Sequence, residues 1–163
     1  MPEAGVFSSR EMVEMAIQTE QNGYAFYAEA TSKAKADSVR SLLEWLADQE
    51  KRHEEVFRGM LDKPELHIPA EEYPGQRAAF VQALLYSRVL PDRETGLKSL
   101  AEITDDNQII QFALGFEKDT ILFMYEMRGL VAPAGQETVD KLIAEEKSHV
   151  QRLLALRQQL GLA

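Results

Sequence analysis

Four glutamates of this 163-residue chain stand where the helices of a small protein usually place leucine. Alternating steps of three and four trace the helix face that turns toward a core. On that spacing the chain reads Val13, Ile17, Glu20, Tyr24, Tyr27, then Leu43, Leu46, Glu50, His53, Phe57, Met60. It continues with Ile110, Ala113, Glu117, Ile121, Met124, then Val139, Leu142, Glu146, His149, Leu153, Leu156, Leu160. Each stripe is apolar except for a glutamate near its middle, and the second and fourth add a histidine three residues later. A lone carboxylate in an apolar interior is strongly disfavoured unless it is neutralised, paired or bound to a metal. The chain is thereby restricted to folds that gather the four glutamates around a compensating charge.

Glycine and proline cluster at the N-terminus, in 63–75 and in 131–135. The segments between them are rich in Ala, Leu, Glu, Gln and Lys at helical spacing. The pattern predicts helices over about 9–35, 37–61, 105–129 and 136–160. Ser8 and Glu11 are spaced as a capping box, Asp37 is expected to cap the second helix, and Gly161 suits the end of the fourth. The links between the first two helices and between the last two are short, so each pair is expected to form an antiparallel hairpin. The connection over about 63–104 is too long for a bare loop, and it carries helical patterns at 78–90 and 94–102. The expected fold is all-α, a single domain over 1–163: a four-helix bundle of two antiparallel hairpins joined by a long helical crossover.

Composition narrows the function. Twenty-seven acidic against eighteen basic residues leave a net charge of −9, which repels nucleic acid. No apolar run is long enough to span a bilayer, and the N-terminus lacks the pattern of a secretory signal, so a cytoplasmic protein with no membrane partner is expected. There is no cysteine, so disulfides, thiolate metal sites and thiol nucleophiles are ruled out.

Carboxylate oxygen and imidazole nitrogen suit iron and manganese. Glu and His at i and i+3 share one helix face, so Glu50 with His53 and Glu146 with His149 can each reach one cavity. Two divalent cations would cancel the charge of Glu20, Glu50, Glu117 and Glu146. One Glu from each of two helices and Glu-x-x-His from the other two is the recipe of ferritin-like di-metal bundles. The halves also repeat. Glu20 and Glu117 are 97 positions apart, as are Phe26 and Phe123, while Glu50 to Glu146 and His53 to His149 are both 96.

The bland alternative is a structural set of buried polar groups, which the repeat and the seam positions disfavour. Tyr24 and Tyr27 are both candidates to donate a hydroxyl to a metal-bound carboxylate, with an aromatic core residue as the other reading. His67, with no partner spacing, reads as a surface histidine, and Trp45 as core. Glu54, Glu55 and Glu145 flank the seams and are expected to face water. Gly23 and Gly115 fall inside helices, where close packing would favour them.

Glu20 followed by Gly23-Tyr24-Ala25-Phe26-Tyr27, Glu50-x-x-His53, Glu117-Lys118-Asp119 with Phe123, and Glu146-x-x-His149 together resemble the ferritin-like domain of the rubrerythrin group. The resemblance covers all four helices. It implies a di-iron site in which Glu20, Glu50, Glu117 and Glu146 bind two iron ions per chain and His53 and His149 each cap one. Manganese or a mixed pair is the alternative loading. It also implies a homodimer or higher homo-oligomer.

Two departures stand out. Rubrerythrins proper carry a four-cysteine rubredoxin-like tail, which this chain lacks, so electrons are expected from an external donor such as a rubredoxin or a reductase. The extra glutamate those proteins tend to carry one turn before the third-helix ligand is also missing: that position is Leu114, and Thr120 stands one turn after Glu117. The expected activity is that of a di-iron peroxidase or oxidase acting on hydrogen peroxide or dioxygen. A ferroxidase or ferritin-type storage protein and a di-iron hydroxylase are the alternatives, and a metal-free scaffold is the least favoured.

Overall fold

The computed structural model describes residues 7–67, 83 and 100–162. Four long helices carry almost all of the described chain: α1 Ser9–Lys33, α2 Asp37–Leu61, α3 Asp106–Arg128 and α4 Pro133–Gln159. A single 3-10 turn, Pro64–Leu66, follows α2. The helical pattern at 78–90, apart from residue 83, and residues 94–99 of the second pattern lie outside the described residues, as does the course of the crossover.

Local chemistry explains most of the helix ends. At the start of α1 the Glu11 carboxylate accepts from the Ser8 backbone N–H at 2.7 Å, and the Ser8 hydroxyl accepts from the Glu11 N–H at 3.2 Å, the reciprocal capping box. The Asp105 side chain caps α3 by accepting from the Gln108 N–H at 2.9 Å. At the end of α4, Gly161 takes a φ of +62°, where a side chain would be strained. Its N–H reaches Gln158 O and the Leu162 N–H reaches Arg157 O, the paired bonds of a Schellman motif.

Two boundaries differ from expectation. Asp37 does not cap α2: Ala36 holds that position without a side-chain bond, and Asp37 is the first helical residue, paired to Arg40 at 2.5 Å. The free amides are taken by a residue distant in sequence. The Asp106 carboxylate, at the start of α3, accepts from the backbone N–H groups of Lys35 and Ala36 at 2.8 Å each. The fourth helix begins at Pro133 rather than near residue 136, because a proline in the first turn gives up an amide that has no helical partner anyway.

α1 packs most extensively on α2 and α3 on α4, with fewer contacts between the two pairs. This is the paired-hairpin arrangement. The open end is fastened by the Ala132 N–H donating to Leu66 O at 3.1 Å and by a bridge between His67 and Val131. The core is split in two. One apolar cluster holds Tyr27, Leu43, Leu46, Leu100, Ile110 and Leu153, and the other holds Met12, Val13, Phe57, Phe123, Met124 and Val139. The seam glutamates and histidines fall between them in sequence on every helix, so a polar layer divides two apolar ones. No described helix is long and apolar enough to cross a membrane.

Candidate metal centre

Glu20, Glu50, His53, Glu117, Glu146 and His149 are each at most 1% exposed and lie together at that dividing layer. Their ligating atoms form two overlapping groups in which all atoms lie within 4.8 Å of one another. One holds Glu20, Glu50, His53 and Glu146; the other holds Glu50, Glu117, Glu146 and His149. Glu50 and Glu146 are common to both, so the set has two centres with two shared carboxylates. The imidazoles of His53 and His149 face each other nearly parallel, with centroids 5.4 Å apart and 9° between planes.

The donors converge on each other without satisfying each other. Both carboxylate oxygens of Glu20, Glu50 and Glu146 are buried and unpartnered by hydrogen bonds. Nδ1 of His53 comes within 2.7 Å of Glu146 Oε1 and 3.6 Å of Glu20 Oε2, yet it too lacks hydrogen-bond alignment. Nδ1 of His149 lies 2.8 Å from Glu146 Oε2 and 3.4 Å from Glu117 Oε2. Buried polar atoms are nearly always paired. Six carboxylate oxygens without an aligned hydrogen bond and an imidazole nitrogen, all aimed at one volume, fit divalent cations of the hard-to-borderline kind.

Protonation in the metal-free protein tells the same story. Burial pushes the Glu50 carboxyl well above its ordinary value, with the charges of Glu20, Glu146 and Glu117 adding to it. Burial likewise raises Glu20, and it lifts Glu117 to about 8 with help from Glu146. Burial would depress both imidazoles, but the carboxylates against them win. Glu146 and Glu20 raise His53 to about 11, and Glu117 and Glu146 raise His149 to about 9. Glu146 alone goes down: its burial is outweighed by the two imidazoles that flank it. These shifts favour protons on the other carboxylates and on the imidazoles, which bound cations would displace.

Residues behind the ligands separate the remaining candidates. Tyr27 is fully buried and donates its hydroxyl to Glu117 Oε1. Tyr24 does not reach the centre; it is half-buried with the Lys51 ammonium 4.3 Å over its ring. Gly23 faces the site directly. A Cβ there would lie 2.5 Å from Glu50 Oε2 and 2.8 Å from the Phe116 ring, so glycine is what lets the carboxylate approach α1. At Gly115 no described atom lies within 4 Å of an added Cβ, so the close-packing reason fails there.

Two sequence expectations, for Glu145 and Glu54, need correction, whereas Trp45 packs on the first apolar cluster as a core residue would. Glu145 does not simply face water: its carboxylate accepts from His53 Nε2 at 3.0 Å, while the side chain keeps 43% exposure. Trp45 is half-buried and perpendicular to the His149 ring at 5.2 Å, under the Arg152 guanidinium. Glu54 accepts from Gln21 of α1 at 2.8 Å and pairs with Arg58. The signal for Glu145 was its place beside a seam ligand, from which a side chain can reach the neighbouring helix. His67 is far from this role: it is half-buried at the bundle end, and its Nε2–H donates to Leu61 O at 3.1 Å.

The rubrerythrin family model matches residues 11–157, nearly the whole described bundle and every residue of the cluster. The chain belongs to the rubrerythrin family. Its fold is similar to that of a Thermotoga maritima crystal structure assigned as a ferritin-like diiron-carboxylate protein. That similarity has a TM-score of 0.71 and 26% identity, covering 94% of this chain and 97% of that one. No curated protein matches significantly. Leu114 and Thr120, the neighbours of Glu117 one turn away, are both buried and add no carboxylate to the cluster.

Proposed function

We propose that this chain is a two-iron redox protein that reduces hydrogen peroxide with electrons from an external donor. The observation that carries the reading is the set of buried carboxylate oxygens left without partners in a family whose members hold metal at such sites. Glu20 and His53 would hold one ion, Glu117 and His149 the other, with Glu50 and Glu146 between them. When bound there, two ferrous ions would supply the two electrons that, with two protons, reduce peroxide to two molecules of water.

The protein's own residues do the rest. The apolar layers on either side exclude bulk water from the centre, which strengthens every charge interaction inside it. Tyr27 keeps its proton, since burial and the charges of Glu117 and Glu50 push its hydroxyl well above the ordinary value, and it fixes Glu117 by donating to Oε1. A surface cavity of about 290 Å³ lined by Arg52, His53, Glu55, Val56, Leu142 and Glu145 brings solvent-borne molecules to the His53 edge. The 163 residues contain no cysteine, and in this reading an external donor supplies the electrons.

The test is anaerobic loading with ferrous iron, followed by stopped-flow mixing with peroxide or with oxygen. A faster rise of ferric absorbance with peroxide than with oxygen is the expected result. The opposite preference would assign ferroxidase or hydroxylase chemistry, a reading favoured by the absence of an added carboxylate at Leu114 and Thr120. Light scattering completes the assignment: a dimer has no interior in which to store mineral.

A further inference from the structure

We propose that the two metal positions are inequivalent: the one bounded by Glu20 and His53 binds first and more tightly, with Glu145 as its positioning residue. The inference rests on the two-metal reading above and deepens it. The repeat makes the halves near-copies, so the places where they differ carry information.

The first difference lies behind the histidines. His53 Nε2 donates to the Glu145 carboxylate at 3.0 Å, which leaves Nδ1 turned toward Glu146. The position equivalent to Glu145, 96 residues earlier, is Gln49, a neutral side chain whose carbonyl oxygen accepts from Arg52 at 2.7 Å. The ring of His149 meets Trp45 instead, and no carboxylate beyond Glu117 and Glu146 touches it among the described residues. A carboxylate behind a ligating imidazole fixes its tautomer and increases its basicity, and losing such a partner typically costs about 10–100-fold in metal affinity.

The second difference lies on the unshared carboxylates. Glu117 has one oxygen engaged by the Tyr27 hydroxyl. The position equivalent to Tyr27, 97 residues later, is Met124, which has no hydroxyl to offer, and both oxygens of Glu20 remain without a hydrogen bond. Tyr27 thus holds Glu117 in place and draws on part of its negative charge, whereas Glu20 keeps its full charge for a cation. The third difference is access. The cavity beside Glu145 reaches His53, whereas His149 does not line it. Charge and approach favour the same position.

Isothermal titration of the metal-free chain with Co(II), which is not oxidised under these conditions, reads the difference directly. The wild type is expected to take up two ions in two steps whose affinities differ by at least about tenfold, the lower end of the effect of such a partner. Glu145→Gln keeps the shape of the side chain and removes its charge. It should weaken the first step by about 10–100-fold and spare the second. His149→Ala should retain the tight step and lose the weak one, and His53→Ala should do the reverse. Circular dichroism melts establish that each variant is folded, and the histidine pair decides the matter even if Glu145→Gln is not. Two ions bound with equal affinity, or a tight step that survives in His53→Ala and vanishes in His149→Ala, would overturn the inference and leave the two-metal reading standing. Failure of the folded wild type to bind two Co(II) ions would remove both.

Discussion

Gly23→Ala separates what a helix prefers from what the centre requires. In a helix interior alanine is favoured over glycine by about 1 kcal/mol, so at an uncrowded position the substitution stabilises. At Gly23 the new methyl would lie 2.5 Å from Glu50 Oε2 and 2.8 Å from two Phe116 ring carbons, where ordinary contact starts at 3.4 Å. The carboxylate must retreat by about 0.9 Å and the ring by about 0.6 Å. Crowding a filled interior costs about 1–3 kcal/mol, so the metal-free variant should lose about 0–2 kcal/mol after the propensity gain. Metal binding should suffer more, because Glu50 belongs to both ligand groups. A displaced carboxylate there is expected to lower affinity for both ions by at least about tenfold, the scale seen when ligand support is lost. The control is Gly59→Ala, whose Cβ would meet nothing within 4 Å. Urea denaturation of the metal-free proteins and anaerobic Co(II) titration supply the two readouts. If Gly23→Ala proves as stabilising as Gly59→Ala and binds two ions like the wild type, the reasoning about Glu50 is wrong.

Two further outcomes follow from the charges and the caps. Groups whose pKa is raised by folding support the fold below their unfolded value and withdraw that support as pH climbs through the folded one. The window for Glu117 runs from 4.5 to about 8, for His149 from 6.5 to about 9 and for His53 from 6.5 to about 11. The melting temperature of the metal-free protein should therefore fall steadily from about pH 5 to about pH 9, and saturating Co(II) should reverse the slope because binding requires those protons to leave. A metal-free melting temperature that rises over that range would contradict the assignment. Asp106→Ala removes the acceptor for the Lys35 and Ala36 amides and should cost about 1–2 kcal/mol in urea denaturation, whereas Asp37→Ala, which loses only an exposed ion pair with Arg40, should cost less than about 0.5 kcal/mol.

The four helices and the six clustered side chains were legible because both are written in periodicity. A seam broken by one glutamate at the same level on each helix leaves few places for those residues to meet. Features that depend on chain segments distant in sequence were not legible. Asp106 serves amides seventy residues away, and no local pattern distinguishes it from Asp37, which looks like the better cap. Glu145 sits one residue from a seam, and only the closeness of α2 and α4 turns it from a solvated charge into the partner of His53. Tyr24 and Tyr27 share a stripe in the sequence. The two separate because Tyr27 is drawn inward among Phe26 and Phe116, while Tyr24 stays at the rim beneath Lys51.

The uneven packing of the bundle bears on how it is assembled and filled. Each hairpin is tightly joined within itself and more loosely to the other, yet each of the two ligand groups draws on both hairpins. A cation seated there would act as a rivet through a layer that the His53–Glu146 ion pair and the Tyr27–Glu117 hydrogen bond already cross, between the two apolar clusters. Without a cation, transient parting of the two hairpins along that layer should be easier, and the speed of that parting would govern how quickly the metals come and go.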